Sequence, residues 1–434
     1  MAKGQNKFHI LTYGCQMNMY DSYLVSTLLK QRGFLEVKRP EEADLILVNT
    51  CAVREHAEKR VIGRIHSLGR FKKEKDVKVG VIGCMAKRMP ELVEMKEIDF
   101  ISGPDGYRKL VNELYKSNNK VIEGNPFELY TGIYPEQEGI SSYLAISRGC
   151  NNFCSYCIVP YVRGPLRSRS PDDIIKEAEY LIETGKREII LLGQNVNEYD
   201  HKGFKFVDLV EEISHLSPSV WFNFLTSHPK DVDYKVFKIM EEMDNITKFI
   251  HLPMQSGSDR VLNSMNRDYT YEKYRKIIKN AREIVPDITV TTDLLVGFPG
   301  ESKDDFKMTL DAVKEIEFDY AFMFMYSPRP KTLASMMDET LTDGEKKERL
   351  MQLIDIQNGI TRKKNSEMIG KTFECLTVGN ASKGGVLCKM INGKLAVTND
   401  AIDVGEITKI KITGLNGWTP VGKIIKKEEE WVLL

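Results

Sequence analysis

The stretch SRGCNNFCSYCIVPYVRG, residues 147–164, sets cysteines at 150, 154 and 157 within one turn-rich octet. The whole chain has 8 cysteines in 434 residues. Scattered at random, they would form C-x3-C-x2-C with a probability of roughly 0.003, so the spacing asks for a chemical reason. Thiols grouped in this way serve a zinc site, a disulfide framework, a redox pair or an iron–sulfur cluster.

Three more cysteines lie far apart in sequence but in matching contexts. Cys15 closes FHILTYGC, Cys51 closes ADLILVNTC and Cys84 closes VKVGVIGC. Each follows a short apolar run, and the first two lead into helix-like stretches, DSYLVSTLLKQRGF and REHAEKRVIGRIHSLGRF. Strands alternating with helices predict a doubly wound N-terminal domain with a parallel sheet. The carboxyl ends of parallel strands gather along one edge, where ligands bind, so Cys15, Cys51 and Cys84 are expected to meet in space. One cysteine in such a place reads as a small buried hydrophobe; three at equivalent places call for a shared role.

A second β–α series starts near residue 142. SYLAIS, EIILLG, WFNFLTS, KFIHLP, ITVTTDLLVG and YAFMFMYS read as strands, separated mostly by helices such as PDDIIKEAEYLIETG, YEKYRKIIKNAREIV and KDDFKMTLDAVKEI. Six repeats fall short of a closed eight-stranded barrel and predict an open, partial (β/α)6 TIM-like barrel. The cysteine octet follows its first strand, on the face where barrel active sites form. Residues 341–368 predict a helix whose Leu350, Leu353, Ile354 and Ile360 form a stripe for core packing. After it, KTFECLTVGN, GVLCKM, KLAVTN, EITKIKITGLNG and TPVGKIIKK predict five short strands and a small β-barrel, with Cys375 and Cys388 in its core. The expected domains are residues 1–138, 139–367 and 368–434.

Lys plus Arg number 62 and Asp plus Glu number 62, so net charge offers no electrostatic argument for nucleic acid, and such a partner needs a local basic face. There is no run of some twenty apolar residues, and MAKGQNKFHI has no signal-peptide apolar region; a cytoplasmic protein with no membrane partner is expected. In a reducing cytosol, clustered thiols bind metal or do redox chemistry. Structural zinc wants four ligands, whereas the octet offers three and no histidine lies within twenty residues of it. Three thiolates leave one iron of a 4Fe-4S cluster open to a non-protein ligand, and zinc stays the alternative.

The triplet with Tyr156 before its last cysteine, after the first strand of a partial barrel, resembles the radical S-adenosylmethionine (SAM) enzymes. Cys15, Cys51 and Cys84 narrow the resemblance to their methylthiotransferases. YGCQMNMYDS, NTCAVREHAEKRV, GCNNFCSYCIVPYVRG, LLGQNVNEY, LPMQSGSDRVLNSMNR and TTDLLVGFPGES carry it over residues 8–330. NTCAVREHAEKRV is most similar to the tRNA 2-methylthio-isopentenyladenosine synthases, the MiaB group. The resemblance implies an enzyme that places a methylthio group on carbon 2 of isopentenyladenosine beside a tRNA anticodon. That C–H bond has no useful acidity, so acid–base catalysis cannot act on it and a radical is needed.

By the same resemblance, Cys150, Cys154 and Cys157 hold a 4Fe-4S cluster that binds SAM at its open iron, and Cys15, Cys51 and Cys84 hold a second 4Fe-4S cluster that carries the sulfur. Tyr156, Gln194, Asn195, Ser256, Gly297 and Glu301 are the implied SAM contacts. The partners implied are the tRNA anticodon stem-loop and an electron donor such as flavodoxin or ferredoxin, with the enzyme a monomer. Arg163, Arg167 and Arg169, in RGPLRSRS, are the phosphate-contact candidates. His228 and His251 read as satisfied core histidines. The final β-barrel resembles the RNA-holding TRAM domain, although residues 366–434 hold no Arg and nine Lys against eight acidic residues. Leu166 and Lys331 also depart from the family pattern. Competing readings keep the chemistry but move it to threonylcarbamoyladenosine or a ribosomal protein, or replace it with a zinc-containing RNA-binding protein or an electron-transfer protein.

Overall fold

The computed structural model describes residues 6–52, 55–114 and 120–425. β1 (Lys7–Thr12), β2 (Leu35–Glu36), β3 (Leu45–Thr50), β4 (Lys78–Gly83), β5 (Phe100–Ser102) and β6 (Val121–Ile122) form a wholly parallel sheet in the order β2-β1-β3-β4-β5-β6. All of β3 is buried, and its alternate side chains serve opposite faces. Leu45 and Leu47 pack with Leu24 and Tyr107, under α1 (Gln16–Lys30) and α4 (Tyr107–Glu113). Ile46 and Val48 pack with Val61 and Ile65 of α2 (Glu55–Glu74) and with Met85 of α3 (Cys84–Arg88). Helices on both faces make the sheet doubly wound, and the strand order turns back between β1 and β3, a switch point where ligands bind.

β7 (Ser141–Ala145) starts the central domain. The cysteine loop that follows it is closed by an antiparallel ribbon, β8 (Ser147–Arg148) with β9 (Arg167–Ser168), and contains α5 (Val159–Arg163). Next come α6 (Pro171–Glu183), β10 (Glu188–Leu192), the small hairpin β11 (Asp200–His201) and β12 (Phe204–Lys205), and α7 (Phe206–Ser214). The remaining barrel elements are β13 (Trp221–Leu225), α8 (Lys235–Glu242), β14 (Phe249–His251), α9 (Asp259–Ser264), α10 (Tyr271–Ile284), β15 (Thr289–Val296), α11 (Lys303–Ile316) and β16 (Tyr320–Met325).

All six expected barrel strands are present, but the arc is divided into two parallel sheets, β13-β10-β7 and β14-β15-β16. β13 meets the segment before β14 through an isolated bridge, Phe222 to Ile246. β14 has only three residues, and Pro253 beyond it has no N–H to extend a ladder. One core nevertheless runs through both halves, with Leu144, Ile189, Phe222, Ile250, Val290 and Ala321 each drawn from a different strand. Ser170, Thr270 and Ser302 cap α6, α10 and α11 by accepting a backbone N–H.

The long helix α12 (Asp343–Ser366) starts at a capping box, in which Thr342 accepts from the Glu345 N–H and the Glu345 carboxylate accepts from the Thr342 N–H at 2.8 Å. Leu353 is buried, and Leu350, Ile356 and Ile360 pack with it on the barrel core; Ile356 takes the place expected of Ile354. β17 (Thr372–Asn380), β18 (Val386–Met390), β19 (Leu395–Thr398), β20 (Ile407–Asn416) and β21 (Thr419–Ile425) then close a five-stranded barrel, β17-β18-β19-β21-β20. Cys375 and Cys388 lie in its core with Met390 and Ile410. This barrel sits beneath the amino ends of the central strands: Lys389 pairs with Glu188, Lys394 Nζ lies 2.7 Å from Asp319, and the Lys248 N–H donates to Ile391 O at 2.8 Å. No helix among the described residues is long and apolar enough to cross a membrane.

Candidate functional site

Strands β1, β3 and β4 are neighbours, and the residues after them are Cys15 at the N-cap of α1, Cys51, and Cys84 at the start of α3. Glycine lets the loops close. Gly14 has φ +140°, and a Cβ there would stand 2.6 Å from Cys51 Cβ. Asn18 ties α1 to β3, donating from Nδ2 to Asn49 Oδ1 and to Thr50 O, both at 3.1 Å. A hydrogen bond from the Cys51 thiol holds Cys15 down to about 6 against the cost of desolvation, with the Arg163 guanidinium helping. Burial pushes the Cys84 thiol up, opposed by that same guanidinium.

The downstream triad is held by one loop and its supports. The Gly149 N–H donates to Gln194 Oε1 at 2.5 Å, the Ser155 N–H donates to Met265 O at 2.9 Å, and Asn266 Nδ2 donates to Phe153 O at 3.1 Å. Cys150 and Cys154 are buried and Cys157 half-buried. Desolvation pushes Cys150 up to about 11, and desolvation together with Cys154 pushes Cys157 up to about 12. Arg267, which the sequence did not single out, lies beside this triad. Its Nη1 is 3.8 Å from Cys154 Sγ and donates to Tyr156 Oη at 3.0 Å, while Nη2 donates to Pro253 O at 2.9 Å.

Cys15, Cys51, Tyr156 and Cys157 all open on one cavity of about 2940 Å³ that passes through the partial barrel. Its wall is the inward set of strand residues, Tyr143, Ile190, Asn223, His251, Thr291 and Phe322, which alternate with the core residues named above. At the far end it reaches the C-terminal barrel, where Lys383, Lys423 and the half-exposed Trp418 line it. Arg362 stacks over the Trp418 ring at 5.7 Å.

Both triads suit iron–sulfur groups, because each offers three free thiols. The described residues contain no group of three or more His, Cys, Asp and Glu side chains placed to hold a single metal ion. At the carboxyl ends of β10 and β13, Asn195 Oδ1, Ser227 Oγ and His228 Nε2 are buried and find no partner among the described residues. Orphaned polar atoms at neighbouring strand ends make a place for a polar ligand such as SAM. His228 is therefore not a satisfied core histidine: Nδ1 accepts the Lys230 N–H at 3.3 Å, Nε2 is orphaned, and burial pushes the ring down to about 2, keeping it neutral. His251 does find a partner, Thr291 Oγ1 at 3.0 Å, yet it lies on the cavity wall.

Several expected site residues stand elsewhere. Arg163, Arg167 and Arg169 are buried, not on a phosphate-facing surface. Arg163 Nη2 donates to Asp21 Oδ2 at 2.9 Å, Arg167 Nη2 donates to Asp105 Oδ1 at 2.9 Å, and Arg169 lies 2.7 Å from Asp173 and pairs with Glu177. Guanidinium groups withdrawn from water must be paired, and these are paired within the chain. Ser256 is fully buried, bonded to Thr309 Oγ1 at 3.2 Å, and it is Gln255 that reaches the cavity. Glu301 pairs with Arg349 and accepts the Gly297 N–H at 3.1 Å, so this pair stabilises the loop under α12 rather than facing the cavity. Gln194 holds the cysteine loop, and Asn195 donates to Asp231 Oδ2 at 2.7 Å. Tyr156 alone among the six expected SAM contacts lines the cavity.

A thiol triplet after the first strand of a partial β/α barrel, with orphaned polar atoms at its strand ends, defines a radical SAM enzyme. The model of the Radical SAM superfamily matches residues 144–313, and that of the Uncharacterized protein family UPF0004 matches residues 7–103. The tRNA-2-methylthio-N(6)-dimethylallyladenosine synthase of Caldicellulosiruptor saccharolyticus is 42% identical over 406 residues, covering 88% of this chain and 85% of that protein. The synthase of the same name from Thermoanaerobacter sp. (strain X514) is 38% identical over 442 residues, covering 98% and 94%. The chain belongs to the tRNA-2-methylthio-N(6)-dimethylallyladenosine synthase family. The radical SAM methyltransferase TsrM from Kitasatospora setae, solved with cobalamin and a [4Fe-4S] cluster, shares the fold at a TM-score of 0.58 and 15% identity, covering 76% of this chain and 77% of that one.

Proposed function

We propose that this chain attaches a methylthio group to carbon 2 of isopentenyladenosine next to the anticodon of tRNA. The observation that carries the proposal is that Cys15 and Cys51 of the upstream triad and Cys157 of the downstream triad line one cavity, larger than a nucleoside requires. Cys150, Cys154 and Cys157 would hold the 4Fe-4S cluster that binds SAM, and Cys15, Cys51 and Cys84 a second 4Fe-4S cluster. When bound, these groups supply a radical able to take hydrogen from an unactivated carbon, and the sulfur placed there.

The chain's own residues bind and shield. Tyr156 offers a flat wall to the adenine of SAM, and Asn195 Oδ1, Ser227 Oγ and His228 Nε2 offer polar partners to its hydroxyl and amino groups. The apolar wall of the barrel interior, with Ile190 and Phe322, keeps water from the reacting carbon. Lys383 and Lys423 suit phosphates and Trp418 suits an unpaired base, so the anticodon stem-loop would lie along the C-terminal barrel. The reading extends to a cytoplasmic monomer reduced by a flavodoxin or ferredoxin. Nucleosides from tRNA of cells lacking this protein test it. Loss of 2-methylthio-isopentenyladenosine is expected; its survival, or loss of the threonylcarbamoyladenosine derivative instead, overturns the assignment.

A further inference from the structure

Arg163 belongs to the downstream loop by sequence but to the upstream site by position. It ends α5, directly after the Cys150–Cys157 octet, and is 3% exposed. Ile158 and Val162 of the same turn pack with Ala52 and Cys84, pressing α5 against the upstream triad. One arm of the guanidinium, Nη2, is fixed by Asp21 of α1 at 2.9 Å. The other arm, Nη1, is buried and makes no well-aligned hydrogen bond among the described residues, although the Cys84 thiol lies within hydrogen-bond reach of the guanidinium. Cys84 and Cys15 both lie within its electrostatic reach.

The charges around it do not cancel. Asp21, fully buried, also accepts from Arg148 Nη2 and from Tyr107 Oη, the latter at 3.3 Å. Asp105 takes Arg167. Two guanidinium groups, Arg148 and Arg163, therefore share the single carboxylate of Asp21 away from water. An uncompensated buried cation is costly, and so is a buried N–H without an acceptor. An anionic group held by the three neighbouring thiolates would answer both.

We propose that Arg163 is a contact residue of the upstream site, its Nη1 donating a hydrogen bond to a sulfur atom of the iron–sulfur cluster held by Cys15, Cys51 and Cys84. Its charge stabilises the more negative, reduced state of that cluster and so raises its potential. The geometry also makes the upstream site depend on the downstream loop, because α5 must be docked for the contact to form. The inference rests on the two-cluster reading proposed above.

The test uses the full chain carrying Cys150→Ala, Cys154→Ala and Cys157→Ala, reconstituted without oxygen, so that only the upstream cluster remains and Arg267 has no cluster beside it. With 15N-labelled arginine, pulsed electron paramagnetic resonance of the dithionite-reduced cluster is expected to show a 15N coupling, and Arg163→Lys to remove it. Redox titration is expected to find a more negative midpoint for Arg163→Met, and a smaller shift of the same sign for Arg163→Lys. A chain with about four irons that shows no 15N coupling, or an unmoved midpoint in either variant, overturns the arginine contact alone. A chain without iron overturns the two-cluster reading and the contact together. Because the labelling experiment reads the unsubstituted arginine, it decides even where a variant fails to fold.

Discussion

The two cysteine triads are alike in donor set and opposite in construction. The downstream triad is carried by one octet, pinned by hydrogen bonds from the Gly149 N–H to the Gln194 side chain and from the Ser155 N–H to Met265 O. The upstream triad exists only because β1, β3 and β4 lie side by side. Their electrostatics differ as well. Burial holds the Cys150 and Cys157 thiols protonated, whereas the Cys51 thiol and Arg163 favour the Cys15 thiolate. A local loop presents its ligands wherever the loop folds. An edge assembled from three strands presents them only when the sheet and the domain packed on it are both in place.

The strongest way to break this comparison is to remove the triads one at a time. Replacing Cys150, Cys154 and Cys157 with Ala is expected to lower iron from about eight to about four per chain and to abolish reductive cleavage of SAM. Replacing Cys15, Cys51 and Cys84 is expected to remove the same amount of iron while cleavage persists. Iron and sulfide analysis with a deoxyadenosine assay reads both. A loss of all iron in either variant would show that the sites are not independent.

Asp21→Ala probes the junction. Removing a fully buried carboxylate from two arginines leaves charge without a partner, and unfolding stability is expected to fall by about 3–5 kcal/mol in urea titration. Iron should then decline at the upstream triad more than at the downstream one; an equal decline would mean that Asp21 serves general folding alone.

In the metal-free chain, thiol reactivity separates the triads by pH. Cys15 is ionised above about 6, so its alkylation by iodoacetamide should rise through pH 6 and level off near neutrality, whereas Cys157, raised to about 12, should stay unmodified there. The sign for stability follows: the depressed Cys15 contributes stability that is present above the ordinary thiol value of 9.0 and lost as pH falls through about 6. Peptide mass spectrometry across pH 5–9 checks the order of reaction.

The smallest effect lies furthest from both triads. Trp418→Ala is expected to weaken tRNA binding about tenfold, the value of one stacked base, with SAM cleavage unchanged. Filter binding beside the cleavage assay tests this, and unaltered affinity would remove the C-terminal barrel from the RNA path.

The residue order alone was enough for the local features. The octet's spacing, the strand-ending cysteines, the six barrel strands, the long helix and the five final strands depend on near neighbours and on periods of two or 3.6, which a single chain displays directly. It was silent or misleading wherever a side chain's partner came from another element. RGPLRSRS reads as a basic surface, but α1, the loop after β5 and α6 surround it, and Asp21, Asp105, Asp173 and Glu177 pair with its arginines. Ser256 and Glu301 sit at plausible strand ends, yet α11 and α12 cover them. Arg267 and Asp21 carried no local signal, because each draws its role from residues more than a hundred positions away. The sequence by itself determined which atoms could bind iron and sulfur; the tertiary structure decided which charges stand beside them, since a buried ion takes its partner from whatever the packing brings near rather than from its neighbours along the chain.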